Sequence, residues 1–407
     1  MVHAPGYYKI PLVYGNAIGS PTVGSGAVNT VAFNPGSVSK GIARFINHAG
    51  TGINAPWISK SSSGSDVNKG MGITVDGAQL IWQDVNGLTS DYAIDGDYLI
   101  FQVPAASIAE GNAVIAVKSG STIVWSWHIW VTPETYSNLT TVATGSHNYS
   151  VTPVNLGWVG SGSVTKSGYE GRSCDVKVTQ LGDGQTQTFT ITQLPNITVT
   201  TPKRGNSPFY QWGRKDPFVP SNGSSNTDKT VYVGSGVDSK GWYFETSTTS
   251  TMGTTIQYPW KFYYIVRTDN LVTTTYYNMW DAQNGTSGNV MTATKKTIYD
   301  PCPPGFCIPT GNLYYFIGNS AMSTFDNTNK GATWNINTTG DDLWFPAAGD
   351  RSCTSGVLRN VSGNSHYWST SPFSEHYGYS LFVSSENWSF SFAKRSMGYP
   401  VRPVAEE

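Results

Sequence analysis

The amino-acid sequence predicts a mainly β protein, on three observations. Only 13% of its residues are Asp, Glu, Lys or Arg, about half the usual share, while 44 glycines and abundant Ser and Thr fill the polar positions. Helical periodicity is scarce, and short alternating segments bounded by turn residues recur along the chain. At 407 residues the chain also exceeds the size at which single hydrophobic cores usually stop growing, so it is expected to divide into domains.

Residues 1–133 read as an N-terminal β-sandwich. AQLIWQDVNGL (Ala78 to Leu88) supplies a strand and an Asn86-Gly87 turn, and DYLIFQVP (Asp97 to Pro104) supplies another strand. Ala113 to Lys118, a Ser-Gly-Ser turn and IVWSWHIWVTP (Ile123 to Pro133) read as a hairpin. In its second arm Val124, Ser126, His128 and Thr132 alternate with Trp125, Trp127, Ile129 and Val131, which predicts a strand that buries one face. Residues 134–201 continue the alternation in SVTPVNLGWVG, CDVKVTQLG and QTFTITQL, and read as a small β unit or an extension of the first domain. Residues 202–407 form the third region. It opens on PKRGNSPFYQWGRKDPFVPSNGSSN, where Pro, Gly and the basic residues Lys203, Arg204, Arg214 and Lys215 suggest a boundary segment. Long Gly- and Asn-rich loops follow, with one helix start at Pro309-Thr310, where Thr310 is placed to cap a helix from Gly311 to about Met322.

Charge and composition exclude several function classes. The net charge is −1 and no run of Lys or Arg is present, which argues against nucleic acid and anionic membrane as partners. No stretch is long and apolar enough to span a bilayer, and MVHAPGYYKIPLVYG lacks the features of a signal peptide. The chain is therefore expected to be cytosolic or to have lost a leader. Cys174, Cys302, Cys307 and Cys353 lack zinc-ligand spacing; a Cys302–Cys307 disulfide and four free thiols both stand open.

Catalytic signals are weak. None of the six histidines lies in a metalloprotease, hydrolase or nucleotide-binding motif, and His128 reads as a strand histidine. Asp341-Asp342 reads as a turn because the several closely spaced oxygen ligands that calcium needs are missing. DPCPPGFCIPTGN (Asp300 to Asn312) is not C-x-x-C, and its prolines predict a rigid turn feeding the helix.

The C-terminal segment YWSTSPFSEHYGYSLFVSSENWSFSFAKRSMGYPVRPV is dense in aromatic rings. Alternation places Tyr379, Leu381 and Val383 on one side of a strand with Ser380, Phe382 and Ser384 on the other, and sets Trp388, Phe390 and Phe392 against Ser389 and Ser391. Phe373, Tyr377 and Phe382 alternate with or flank the inward set, and surface aromatics mark binding surfaces. Ala393-Lys394-Arg395 suggests that the regular strand has ended, which frees Phe392 from its face.

GNAVIAVKSGSTIVWSWHIWVTP, VNLGW, YQWGRKDPF, KTIYDPCPPGFCIPT, LWFPAAGDRS, YWSTSPFS and GYPVRPVAEE together resemble the fimbrillin-family and pilus-tip surface proteins of gram-negative gut anaerobes. The resemblance runs from about Tyr7 to the end. It implies a C-terminal C-type-lectin-like α+β domain after the β-sandwich regions, export as a lipoprotein whose leader precedes these residues, and a cell-surface or pilus-tip adhesin. The partner implied is a host or bacterial surface glycan or protein, with pilus subunits as neighbours. Some lectin-like relatives are diversified by retroelements in the segment corresponding to Phe373 to Met397. The resemblance thus implies display positions at Phe373, His376, Tyr377, Phe382, Ser389, Ser391, Phe392, Lys394 and Met397, with Lys394 and Arg395 favouring an acidic partner. Tyr367, Trp368, Gly378, Leu381, Gly398, Val401, Arg402 and Pro403 would be framework. No calcium-type lectin signature is present, no cofactor is expected, and the expected role is not enzymatic. Two alternatives remain: a structural pilus or surface-layer subunit, and a formylglycine-generating type of enzyme using a reactive cysteine pair.

Overall fold

The computed structural model describes the chain except for residues 20–26, 162–164, 170–171, 195, 201–202, 234–235, 239–242, 246–250, 264–275, 289–292, 321–324 and 336–341. Among the described residues strands far outnumber helices and form many antiparallel sheets, so the fold is mainly β as the composition predicts.

The N-terminal part is sandwich-like. One sheet joins β1 (Gly6–Pro11), β3 (Ser90–Asp95) and β4 (Tyr98–Val103), with β4 central. The other carries β2 (Gly77–Gln83), β5 (Gly111–Ser119) and β6 (Thr122–Val131), all antiparallel. Asn86-Gly87 turns the chain from one sheet to the other, with Gly87 at φ 68°. Leu99, Phe101 and Val103 of β4 face Ala113, Ile115 and Val117 of β5 within one core.

The expectation that the β6 strand buries a single face is corrected. Ile123 to Ser126 and Ile129 to Val131 are buried in unbroken runs. The sheet has a second cover: Val114, Ala116, Ile123 and Trp82 pack with Val219, Val231 and Trp260 on its far side. A sheet buried on both faces reads as a continuous apolar run, which is what β5 shows. Strand Val231–Val233 pairs with β2 through Tyr232 and Gln83, so this sheet crosses the boundary expected at residue 202.

The segment expected as a boundary is buried from Ser207 to Ser221. Phe209, Tyr210, Trp212 and Phe218 are fully enclosed, and Arg214 donates to the carbonyls of Lys261, Thr255 and Pro259. Its prolines shape a core loop rather than a linker. The main apolar cluster runs without a break from Val2 through Leu156 and Trp212 to Val401.

Residues 134–160 join the C-terminal half. β7 (Thr140–Ala143) and β8 (Asn148–Val151) form a sheet with Phe306–Cys307 and the final strand Val404–Ala405, where Val404 opposes both Cys307 and Val151. By contrast the hairpin Arg172–Thr179 with Thr186–Gln193 is exposed along nearly its whole length.

Two short α-helices occur among the described residues. α1 (Met252–Gln257), which the sequence reading missed, is set by a capping box in which Thr251 and Thr254 exchange hydrogen bonds. α2 (Gly311–Gly318) starts where expected and ends earlier; the expected end at Met322 lies outside the described residues. Thr310 occupies the N-cap position, but its hydroxyl is engaged 2.6 Å from the Tyr149 hydroxyl; Ser371 Oγ instead accepts from Gly311 N at 2.9 Å.

Candidate binding surface

Three antiparallel strands, Asn364–Pro372, Tyr377–Ser384 and Trp388–Lys394, form the C-terminal sheet. Its frame is anchored by buried polar chemistry. Tyr367, Trp368, Gly378, Leu381, Gly398, Val401, Arg402 and Pro403 are all buried. A Cβ on Gly378 would lie 2.7 Å from Trp212 Cδ1, so only glycine lets the strand approach that ring. Arg402 Nη1 donates to the carbonyls of Thr152 and Pro153, Nη2 to that of Trp344, and Nε to Asn155 Oδ1, at 2.7 to 3.0 Å. That guanidinium ties the tail to the loop at residues 152–155 and to the strand Asp342–Pro346.

Register puts Tyr377, Tyr379, Leu381 and Val383 opposite Lys394, Phe392, Phe390 and Trp388, so these eight residues share one face. The helix α2 covers half of it. Leu381, Val383 and Trp388 are enclosed, and Gly318 sits so close that a Cβ there would lie 2.3 Å from Phe390 N. The helix stops at that contact, and the rings beyond it join Tyr315 of α2 in a connected series. Tyr315 meets Phe390 edge-on at 5.6 Å, and Phe390 stacks on Tyr379 at 4.4 Å. Tyr379 meets Phe373 at 5.2 Å, Phe373 stacks on Phe392 at 4.0 Å with 9° between planes, and Phe392 meets Tyr377 at 5.6 Å. Tyr315 and Phe392 are 53% and 49% exposed, so the series opens to solvent at both ends.

The other face is different. The His366 ring lies between Phe382 (4.8 Å) and Tyr399 (4.6 Å), with Nδ1 3.1 Å from Ser380 Oγ. Burial, aided by Arg359, lowers the His366 pKa to about 4, so the ring is neutral at physiological pH. Ser389 and Ser391 lie on this face with Phe382.

The expected display residues therefore do not meet on one surface. Phe373, Tyr377, Phe392 and Lys394 belong to the aromatic face; Phe382, Ser389 and Ser391 belong to the opposite one; His376 sits in the turn between the first two strands. Met397 is corrected: it is 8% exposed, and its Sδ accepts from Cys353 N at 3.2 Å, because the chain turns inward after Lys394. Arg395 is corrected too. Its guanidinium is buried 4.0 Å over Trp212 and donates to the carbonyls of Tyr276 and Ser374, so it offers nothing to an acidic partner. The strand runs through Lys394, so Phe392 keeps its regular facing and owes its exposure to the shortness of α2. Sequence reasoning missed Tyr315 and assigned Tyr379 and Phe390 inward, since alternation identifies a face and not where its cover ends.

Elsewhere polar groups are committed to structure. A cavity of about 380 Å³ is lined by Trp125, Trp127, His128, Lys215, Lys296 and Cys302, among others. Lys296 Nζ donates to the carbonyls of Cys302, Pro303 and Phe306, and Lys215 Nζ to Ser126 and Asp216. His128 lies between Asn112 Oδ1 at Nε2 and the Tyr210 hydroxyl at Nδ1, and burial lowers its pKa to about 3. All four cysteines are free; Cys302 and Cys307 are buried, and desolvation with Asp300 nearby drives both thiols well above their ordinary range. Asp300 accepts from Cys302 N and Ile308 N, which fixes the rigid turn that the prolines predict. Asp341 lies outside the described residues, and Asp342 is exposed at the start of strand Asp342–Pro346. No cluster of three or more His, Cys, Asp or Glu able to hold a metal, and no helix long and apolar enough to cross a membrane, occurs among the described residues.

Comparison of the chain with protein-family models, curated proteins and solved structures finds no match in any of the three.

Proposed function

We propose that the chain is a cell-surface or pilus-tip adhesin that binds a glycan or protein through the aromatic face of its C-terminal sheet, without catalysis. The observation that carries the reading is the connected series of Tyr315 on α2 with Phe390, Tyr379, Phe373, Phe392 and Tyr377 of the sheet, half-buried in its middle and exposed at Tyr315 and Phe392. Contiguous exposed rings offer large contact area at small entropic cost, and their faces stack equally on sugar C–H groups and on apolar side chains. A buried frame beneath a surface built from single side chains also suits a lectin-like domain with a variable display segment. A formylglycine-generating reaction fits poorly, because enclosed, protonated thiols are weak nucleophiles.

The test is binding of wild type and Phe392→Ser to immobilised glycan and surface-protein arrays. Saturable binding that falls by about thirtyfold or more in the variant supports the reading, as expected for a stacked aromatic hot spot. Equal binding by both proteins refutes it.

A structural-subunit reading is favoured by the exposed hairpin Arg172–Thr179 and Thr186–Gln193, which pairs Cys174 with Ile191 and Val176 with Phe189 on one face. Sedimentation across concentration separates the two, since that reading requires oligomers that dissociate on dilution.

A further inference from the structure

Of the four basic residues in the segment Pro202 to Asn226, Arg214 and Lys215 are consumed by the core, but Lys203 and Arg204 are not. They line a separate concavity of about 280 Å³ together with Lys330. Among the described residues no carboxylate lines it, and Ser161, Ser224 and Ser362 are part of its wall. None of the three cations takes part in an ion pair among the described residues. Asp326 stands outside the lining; its charge acts on Lys203, and its oxygens accept from the backbone N–H groups of Thr328 and Asn329 and from the Asn329 amide.

Each cation rises from backbone that a different element holds. Trp344 Nε1 donates to the Lys203 carbonyl at 2.9 Å, and Lys203 Nζ lies 5.1 Å from the Trp344 ring centroid. Ser161 N donates to the Arg204 carbonyl at 2.8 Å, and Arg204 Nη2 donates to Ser224 Oγ at 2.7 Å. Lys330 has φ 56°, an unfavourable value for a lysine, fixed by bonds from its N to Asp326 O and from Ala347 N to its carbonyl. In a chain with so few charges, three cations gathered at one hollow, with no carboxylate among its described lining residues, form an anion site.

We infer that this hollow binds a tetrahedral oxyanion, a sulfate or phosphate group, at a site distinct from the aromatic face. Three cations bordering one hollow suit a dianion with several acceptor oxygens better than a planar monoanion.

Calorimetric titration of the full chain at constant ionic strength with sodium sulfate, inorganic phosphate and acetate tests the assignment, with glucose 6-sulfate and glucose 6-phosphate as sugar-borne forms. One saturable site for sulfate or phosphate is expected, with acetate about tenfold weaker. Arg204→Gln and Lys330→Gln each weaken binding about tenfold, while Lys9→Gln, a surface change outside this hollow, leaves it unchanged. If sugar esters bind and the free ions do not, the group is read as part of a saccharide and the site still stands. Absence of saturable binding by all four sulfate and phosphate probes, acetate equal to sulfate, or an equal loss in Lys9→Gln would overturn the inference.

Discussion

Arg402 gives the sharpest stability prediction. Its fully buried guanidinium makes four hydrogen bonds, to Asn155 Oδ1 and the carbonyls of Thr152, Pro153 and Trp344, and its plane lies 4.9 Å from the Phe345 ring centre. Hydrogen bonds to a charged donor contribute roughly 1.5 kcal/mol each at the low end, so about 6 kcal/mol is at stake gross. Relief of the buried charge on substitution offsets part of that, leaving a net loss of about 3–5 kcal/mol for Arg402→Met, which strands four acceptors. Arg402→Lys keeps the charge but its point-like ammonium does not span acceptors arranged around a planar fork, so it loses roughly half as much. Urea unfolding followed by tryptophan fluorescence measures both. A loss below about 1 kcal/mol for Arg402→Met would refute the view that this side chain locks the tail to the loops beneath it.

Other predictions follow from buried groups. Burial raises the Asp281 pKa to about 7 despite N–H donors from Gln283 and Lys295. The folded state holds that proton more tightly than the unfolded one, so the contribution is complete at acid pH and is lost as pH rises toward 7. Asp281→Asn is therefore expected to gain stability over wild type between pH 5 and pH 8, read as a growing difference in thermal midpoint. Gly378→Ala forces its Cβ into Trp212, and is expected to lose about 1–3 kcal/mol and shift the near-ultraviolet circular dichroism. A thiol reagent is expected to modify exposed Cys174 at once and Cys302, Cys307 and Cys353 only on unfolding.

Alternation and turn chemistry revealed the strands well. The hairpin through Ser119 to Ser121, the β4 strand and the Asn86-Gly87 turn stand where the residues place them, because each depends on neighbours in sequence. What covers a sheet was not legible. β6 looks one-sided until Val219 and Val231 arrive from a hundred residues away, and the segment from Ser207 to Ser221 looks like a linker until its rings are seen in the core. The candidate binding surface shows the same limit. The face that Phe390 and Phe392 share is written in the sequence, whereas the point at which α2 stops covering it depends on the approach of Gly318 to Phe390. Arg395 and Met397 misled for a related reason, since composition cannot tell a charge on a surface from one that caps carbonyls inside.

The central claim is that one face of the C-terminal sheet binds and the other supports. Surface plasmon resonance on a ligand captured by the wild-type chain, comparing Tyr315→Ser/Phe392→Ser with Ser389→Glu/Ser391→Glu on the reverse face, tests it directly. The account predicts a loss of about thirtyfold or more in the aromatic variant and unchanged affinity in the serine variant. Loss confined to the serine variant would contradict it.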